Sequence, residues 1–409
     1  MEENKVLEFN PYENIRFEVR NTKIEKDKGR MGIEVNEYAT IVLVNKENKR
    51  EVPHPLTSFI YDKWRFSRYN NQLARAKHLT TFLNHTLIEF YTLFKVRSIS
   101  DLDVVHGVHF LEHKKEQGCS RNTLRTYDKT IIYFYEYLAN KGQLKNLKKE
   151  DFEWTINYRT KKKTLKSLFI PKMQSLPAVK VDDTKARTLE EHHVIAFIRT
   201  AMTVANDIAL GVYLAIFGGL RGSEVMSVKR SEIKKLGVYG ENGLIVRLKT
   251  DSRVAKGSGN RVKSPGVQPI DAVKGLLQEL YRTHLERYPA PKDGSDSLFV
   301  NSRGASMQYQ TFNQKFKKVK KAFIEKLKES DNPDDKLYAL NYQSLKWSTH
   351  IGRGTYSNNI AEECQHLIEL MRARRDSSPE SALPYLVNTK NSINQMNQGL
   401  EEMYEDVDR

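Results

Sequence analysis

The feature that most constrains this chain is the change of hydrophobic period along it. Over residues 1–53 the β-branched and aromatic residues gather in short runs, Ile15–Arg20 and Tyr38–Asn45 (YATIVLVN), divided by charged turns, which is strand patterning. Pro53 and Pro55 interrupt it. From Leu56 the period becomes helical: Leu73, Ala76, Thr80, Leu83 and Leu87 fall on one face. A second helix is expected near Asp103–Gln117, ended by Gly118. A third begins at Ser120 as N-cap and carries Leu124, Tyr127, Ile131, Ile132, Phe134, Tyr135 and Leu138 before Gly142 stops it. Residues 157–187 lose the period and hold Pro171, Pro177 and the run Lys161–Lys163, a basic linker composition. Thr188-Leu-Glu-Glu then reads as a capping box. After it, apolar helices flank a strand at Leu244–Leu248 and another near Val267–Ile270.

Three such regimes in 409 residues do not close around one core. The expected fold is mostly α with a small β-sheet. The expected organisation is a strand-rich segment 1–53, a helical domain 54–160, a basic linker 161–186, and a mixed α/β domain 187–409 that ends in an acidic, helix-compatible tail.

The formal net charge of +16 makes a polyanion the natural partner. Arg65, Arg68, Arg75, Lys77, Lys114, Lys115, Arg121, Arg125 and Lys129 are expected on exposed faces of the helical domain, where they suit phosphate contact. The two cysteines, Cys119 and Cys364, lack metal-ligand spacing and fit a reducing compartment. The first residues lack the pattern of a secretory signal, and no stretch is apolar enough to span a bilayer, so a soluble, cytoplasmic protein is expected.

Chemistry concentrates in the last domain. In Leu214-Ala-Ile-Phe-Gly-Gly-Leu-Arg-Gly-Ser-Glu-Val, an apolar helix ends at Gly218-Gly219, and Arg221 and Glu224 open the next at i and i+3. An arginine beside a glycine pair can point into a cleft and bind phosphate. Downstream, Ser-Thr-His-Ile-Gly-Arg-Gly-Thr-Tyr-Ser sets His350 and Arg353 three apart on one helical face. A second arginine aimed at the same point would grip both non-bridging oxygens of a phosphodiester, and an imidazole beside it could move a proton. Alone, the Arg221–Glu224 pair reads better as a surface pair, and the His350–Arg353 pair reads equally well as a solvated one.

In order along the chain, these residues resemble the catalytic domain of the tyrosine recombinase (phage-integrase) family, which pairs an Arg in a G-L-R-x-x-E setting with a later H-x-x-R and then a tyrosine. Arg374-Arg-Asp-Ser-Ser-Pro-Glu-Ser-Ala-Leu-Pro-Tyr-Leu supplies Tyr385, 32 residues after Arg353. The resemblance implies an all-helical core-binding domain and a mixed α/β catalytic domain clamped on double-stranded DNA, with Arg221, Lys249, His350, Arg353 and Tyr385 as catalytic residues and Glu224 orienting them. Lys249, 28 residues beyond Arg221 at the end of a predicted strand, takes the place of the family's hairpin lysine, with Lys256 and Lys263 as rivals.

The implied reaction joins Tyr385 to a 3′-phosphate, frees a 5′-hydroxyl, and requires no metal or other cofactor. It further implies a homo-tetramer on paired sites, an accessory directionality protein, and work on the nucleoid. Residues 1–53 fit an arm-site DNA-binding region or a strand pair packed on the helical domain. The sequence offers no P-loop and no acidic cluster for a two-metal nuclease.

Two positions depart from the family. Asp376 stands where His or Trp is usual, after Arg375 in place of Gly, and puts a negative charge near the phosphate unless Arg374 or Arg375 neutralises it. Pro384 directly before Tyr385 restricts the backbone to a helix start or an extended segment. A second function is therefore carried forward: a non-catalytic, sequence-specific DNA-binding regulator that keeps the recombinase fold.

Overall fold

The computed structural model describes residues 12–27, 33–67, 69–156, 163–178, 188–249, 262, 264–364, 366–376 and 378–386. The chain divides into two compact units, Met1–Lys180 and Val181–Arg409. The acidic tail, Lys161, Lys162, Arg68, Lys256 and Lys263 lie outside the described residues.

In the first unit, strands β1 (Ile15–Asp27) and β2 (Ile33–Asn45) pair antiparallel from Ile15↔Asn45 to Asp27↔Ile33, and β3 (Glu51–Pro53) pairs with β2. β1 runs well past Arg20. The added residues, Asn21 to Glu25, are exposed, so no buried face imposes the apolar alternation that would announce them as a strand. At the other end of the hairpin Phe17, Ala39 and Ile41 are buried in the core formed by the helices. The Asn84 side chain fixes that contact by pairing with the Phe17 backbone, accepting from its N–H at 2.8 Å and donating to its carbonyl at 2.9 Å.

The helices of this unit are α1 (Thr57–Trp64), α2 (Tyr69–Asn84), α3 (Tyr91–Phe94), α4 (Val104–Glu116) and α5 (Arg121–Asn140), with one π-turn at His85–Glu89. Asp103 and Ser120 cap α4 and α5, as their side-chain chemistry favours. Gly118 closes α4 at φ +80, a backbone region that only glycine enters without cost. α5 is the central helix and buries Ile131, Phe134, Tyr135 and Leu138.

Two expectations are corrected here. The stretch taken as linker is partly built into this unit: β4 (Trp154–Ile156) pairs with β5 (Lys163–Leu165), and Phe169 is fully buried against Tyr135. Ser167 donates to the buried Asp128, and the Gln174 N–H to Glu112. Leu168, Phe169, Ile170, Met173 and Leu176 anchor the segment; Pro171 and Pro177 interrupt the run, which is why it reads as a linker. Arg75, expected on an exposed face, instead donates to the Thr126 carbonyl and Thr130 Oγ1 and lies over the Trp64 ring. Arg125 and Lys129 are exposed as expected.

The second unit contains α6 (Glu191–Val204), α7 (Asn206–Phe217), α8 (Gly222–Val225), strands β6 (Ile233–Lys235), β7 (Leu244–Leu248) and β8 (Gly266–Ile270), then α9 (Leu276–Arg287), α10 (Tyr309–Lys328), α11 (Pro333–Ser344), α12 (His350–Glu363), α13 (Leu367–Arg374) and α14 (Leu383–Leu386). The strands form an antiparallel sheet ordered β6-β7-β8. α7 is apolar on every face and correspondingly buried from Ile208 to Ile216. α12 packs closely on it at Gly352, where a Cβ would come within 2.9 Å of the Ala215 Cβ.

The capping box expected at Thr188 does not form. α6 starts at Glu191, and the upstream N–H groups of Leu189 and Glu190 donate instead to Thr355 Oγ1 and the Tyr342 hydroxyl. Tertiary partners have displaced the local cap. Among the described residues no helix is long and apolar enough to cross a membrane.

Candidate functional site

Arg221 and Arg353 are brought together by the way their helices start. Gly219 sits at φ +60, and its missing Cβ is what admits the Tyr356 ring of α12, which would lie 2.3 Å from that carbon. Gly222 likewise leaves room for Tyr309 and Thr349. The short helix α8, opening with Arg221 as N-cap, thereby lies against the first turns of α12, which carries Arg353 one turn in.

Both guanidinium groups converge on one atom. Arg221 Nη2 and Arg353 Nη2 each donate to Asp376 Oδ1 at 2.9 Å, and Arg374 Nε donates to Oδ2 at 2.7 Å. The Asp376 side chain is 3% exposed and Arg353 4%. Two further donors of Arg353 are fixed by the Gly219 carbonyl at 2.6 Å and the Arg374 carbonyl at 2.5 Å. Arg221 is further held by Glu224 Oε1 at 2.9 Å and Ser264 Oγ at 3.3 Å.

Glu224 is fully buried and ties Arg221 to Arg375, whose Nη2 donates to Oε2 at 3.0 Å. Arg375 ends α13 in the left-handed region at φ 54, a conformation that costs a side chain about 1–2 kcal/mol. Its bonds to Gln268 Oε1, the Ser264 carbonyl and Glu224 offset that cost.

Four guanidinium groups thus face two carboxylates, and the site keeps an excess of positive charge. Burial would raise the Asp376 carboxyl, but the charges of Arg353, Arg374 and Arg221 outweigh it and hold the group below the usual carboxylate range. Burial, reinforced by the neighbouring Arg221, weakens the hold of Arg353 on its proton. An ionised aspartate therefore sits where two convergent arginines would otherwise receive a single anionic oxygen. A phosphodiester carries the same unit charge and offers the same acceptor.

Tyr385 lies at the edge of this cluster. It belongs to α14, with Pro384 in the first turn, where a missing N–H removes no helical bond. Arg374 lies over its ring at 4.5 Å, and the ring packs with Leu370 and Ala382. His350 occupies the exposed first position of α12, one turn before Arg353. Lys249 follows β7, is exposed, and forms an ion pair with Glu232.

The structure thus gathers Arg221, Glu224, Arg353, Asp376 and, through Arg374, Tyr385. Four partners were not singled out as site residues from sequence: Arg374, Arg375, Ser264 and Gln268. Arg374 and Arg375 were identifiable only as candidate counter-charges for Asp376. Ser264 and Gln268 carry no sequence signal, because only the antiparallel return of β8 brings them in.

The fold is that of solved tyrosine recombinases. No family model and no curated protein matches the sequence. Among solved structures, the chain resembles the Tn1549 transposon integrase in complex with a circular intermediate DNA, at TM-score 0.54 and 15% identity, covering 84% of this chain and 98% of that one. The same integrase in complex with transposon right end DNA gives TM-score 0.53 at 15% identity with the same coverage. The XerH site-specific recombinase bound to palindromic difH substrate gives 0.53 at 14% identity, covering 82% of each chain.

Proposed function

We propose that this chain is a site-specific DNA recombinase of the integrase or excisionase type, cutting and rejoining duplex DNA through Tyr385. The observation that carries the reading is the convergence of Arg221 and Arg353 on one anionic oxygen at 2.9 Å each. In the reaction the scissile phosphate takes the place of the Asp376 carboxylate, and the segment bearing Asp376 turns aside. The two fixed positive charges then lie where negative charge develops on the pentacoordinate phosphorus.

The Tyr385 oxygen attacks phosphorus, the bond to the 5′-oxygen breaks, and that oxygen takes up a proton to leave as a 5′-hydroxyl. The 3′-phosphotyrosyl link retains the phosphodiester energy, so attack by a 5′-hydroxyl of the partner strand reseals DNA and returns the tyrosine. His350, next to Arg353 on α12, is suited to move the tyrosine proton, and Lys249 to supply that of the leaving group. Glu224 holds both Arg221 and Arg375 and acts by positioning. A homo-tetramer on paired sites belongs to the same reading, with contributions from an accessory directionality protein. So does a DNA-contacting role for the helical unit and for residues 1–53.

Asp376 favours a second reading, a regulator that binds DNA without cutting it, because a tethered carboxylate already satisfies both arginines. A plasmid carrying a site selected from random duplex DNA separates the two. A recombinase relaxes supercoiled plasmid with no nucleotide added, and Tyr385→Phe abolishes relaxation. Tight site-specific binding without relaxation supports the regulator.

A further inference from the structure

We propose that His192, His193 and Asp335 form a binding site for a divalent transition-metal ion of the zinc type, remote in function from the arginine cluster. His192 and His193 stand in the first turn of α6, and Asp335 in the first turn of α11. One donor atom from each lies within 4.8 Å of the others.

The His193 Nε2 to Asp335 Oδ1 separation is 3.1 Å. That is a direct hydrogen bond; two ligands of one tetrahedral ion, each at about 2.0–2.2 Å, stand roughly 3.3 Å apart, so an ion can replace the bond with little movement of the pair. His192 is exposed, and its ring lies beside those of His193 and Tyr338, at 4.0 and 5.4 Å between centroids. Two imidazole nitrogens and one carboxylate oxygen, with a solvent-facing fourth position, make a donor set suited to zinc, cobalt or nickel rather than to calcium or magnesium.

The surroundings are those of a supported site. His193 is buried, and its other ring nitrogen, Nδ1, faces the Tyr342 hydroxyl at 3.5 Å. The second oxygen of Asp335 accepts from Ser330 Oγ at 2.6 Å. Such outer partners orient ligands and tune their basicity. Two helix N-termini meet here, and their partial positive charge opposes a cation. Glu191, Asp334 and Asp335 in those first turns offset it. A bound ion would staple α6 to α11, the helix that leads into α12.

Isothermal titration of the chelator-treated full chain with Zn²⁺, and Co²⁺ absorption as a geometric readout, test the site. The expected result is one ion per chain and a tetrahedral Co²⁺ spectrum. His192→Ala, at an exposed position, and Asp335→Asn are each expected to weaken binding by more than about tenfold, and Ser330→Ala by about tenfold through loss of the outer hydrogen bond. Circular dichroism of the metal-free variants establishes that they fold. Absence of stoichiometric binding, or one-to-one binding unchanged in folded His192→Ala and Asp335→Asn, overturns the proposal and leaves His193–Asp335 as a hydrogen-bonded pair.

Discussion

Asp376 is the residue on which the chemistry of this site turns. Its carboxylate gathers three guanidinium groups in a nearly water-free cluster, and removing one partner of a buried ion pair typically costs about 3–5 kcal/mol. Asp376→Asn keeps the shape and loses the charge, so we expect a loss of about 3 kcal/mol in urea denaturation. Inorganic phosphate or sulfate should then raise the melting temperature of the variant more than that of the parent, since an anion no longer competes with a tethered carboxylate. Equal responses would mean that Asp376 does not occupy the anion position. Gly219 offers a test of the clamp's scaffold. Gly219→Ala adds a methyl group into the Tyr356 ring at φ +60 and should cost at least about 3 kcal/mol, where a tolerant site would lose under 1.

At the scale of elements, a buried histidine group makes the first unit sensitive to acid. Burial, aided by His109, His113 and Lys114, lowers His85 to about 3, and burial lowers His78 to about 4; His106 and His109 are also depressed. These groups bind protons in the unfolded chain at pH values where the folded chain does not. Stability therefore falls as pH drops below about 6.5 towards their folded values, by at most about 1.4 kcal/mol per pH unit for each. Asp128, raised by burial to about 6, works the opposite way but is a single group. We expect a lower melting temperature at pH 5 than at pH 7. His85→Phe, which also removes a buried Nδ1 that makes no hydrogen bond, should shrink the difference. Phe169→Ala should cost about 3–5 kcal/mol, because this residue of an apparent linker is a core anchor.

These elements also show what sequence can convey. α4, α5 and β7 were legible because Asp103, Ser120 and Gly118 punctuate a clean period and Leu244, Val246 and Leu248 are buried at strand alternation. The reach of β1 and the docking of Phe169 were not, since one is solvated and the other lies in a run broken by Pro171 and Pro177. In the site, the order of Arg221, His350, Arg353 and Tyr385 was readable as a pattern. The closure of the clamp by Asp376, and the pairing of Lys249 with Glu232, depend on tertiary geometry that no local spacing encodes.

For the molecule as a whole, the proposed function together with the charge of +16 predicts duplex binding that weakens steeply with salt. Lys129→Ala, at an exposed site on α5, should lower the slope of log affinity against log salt by about 1 if that lysine meets a phosphate, and leave it unchanged otherwise. The most direct test of the account is covalent capture on a nicked duplex that carries the selected site, so that the cleaved strand diffuses away and rejoining is blocked. Cleavage through Tyr385 predicts a protein–DNA adduct that maps to the tryptic peptide Asp376–Lys390 and disappears in Tyr385→Phe. Site-specific binding without an adduct, or an adduct that survives Tyr385→Phe, would contradict it.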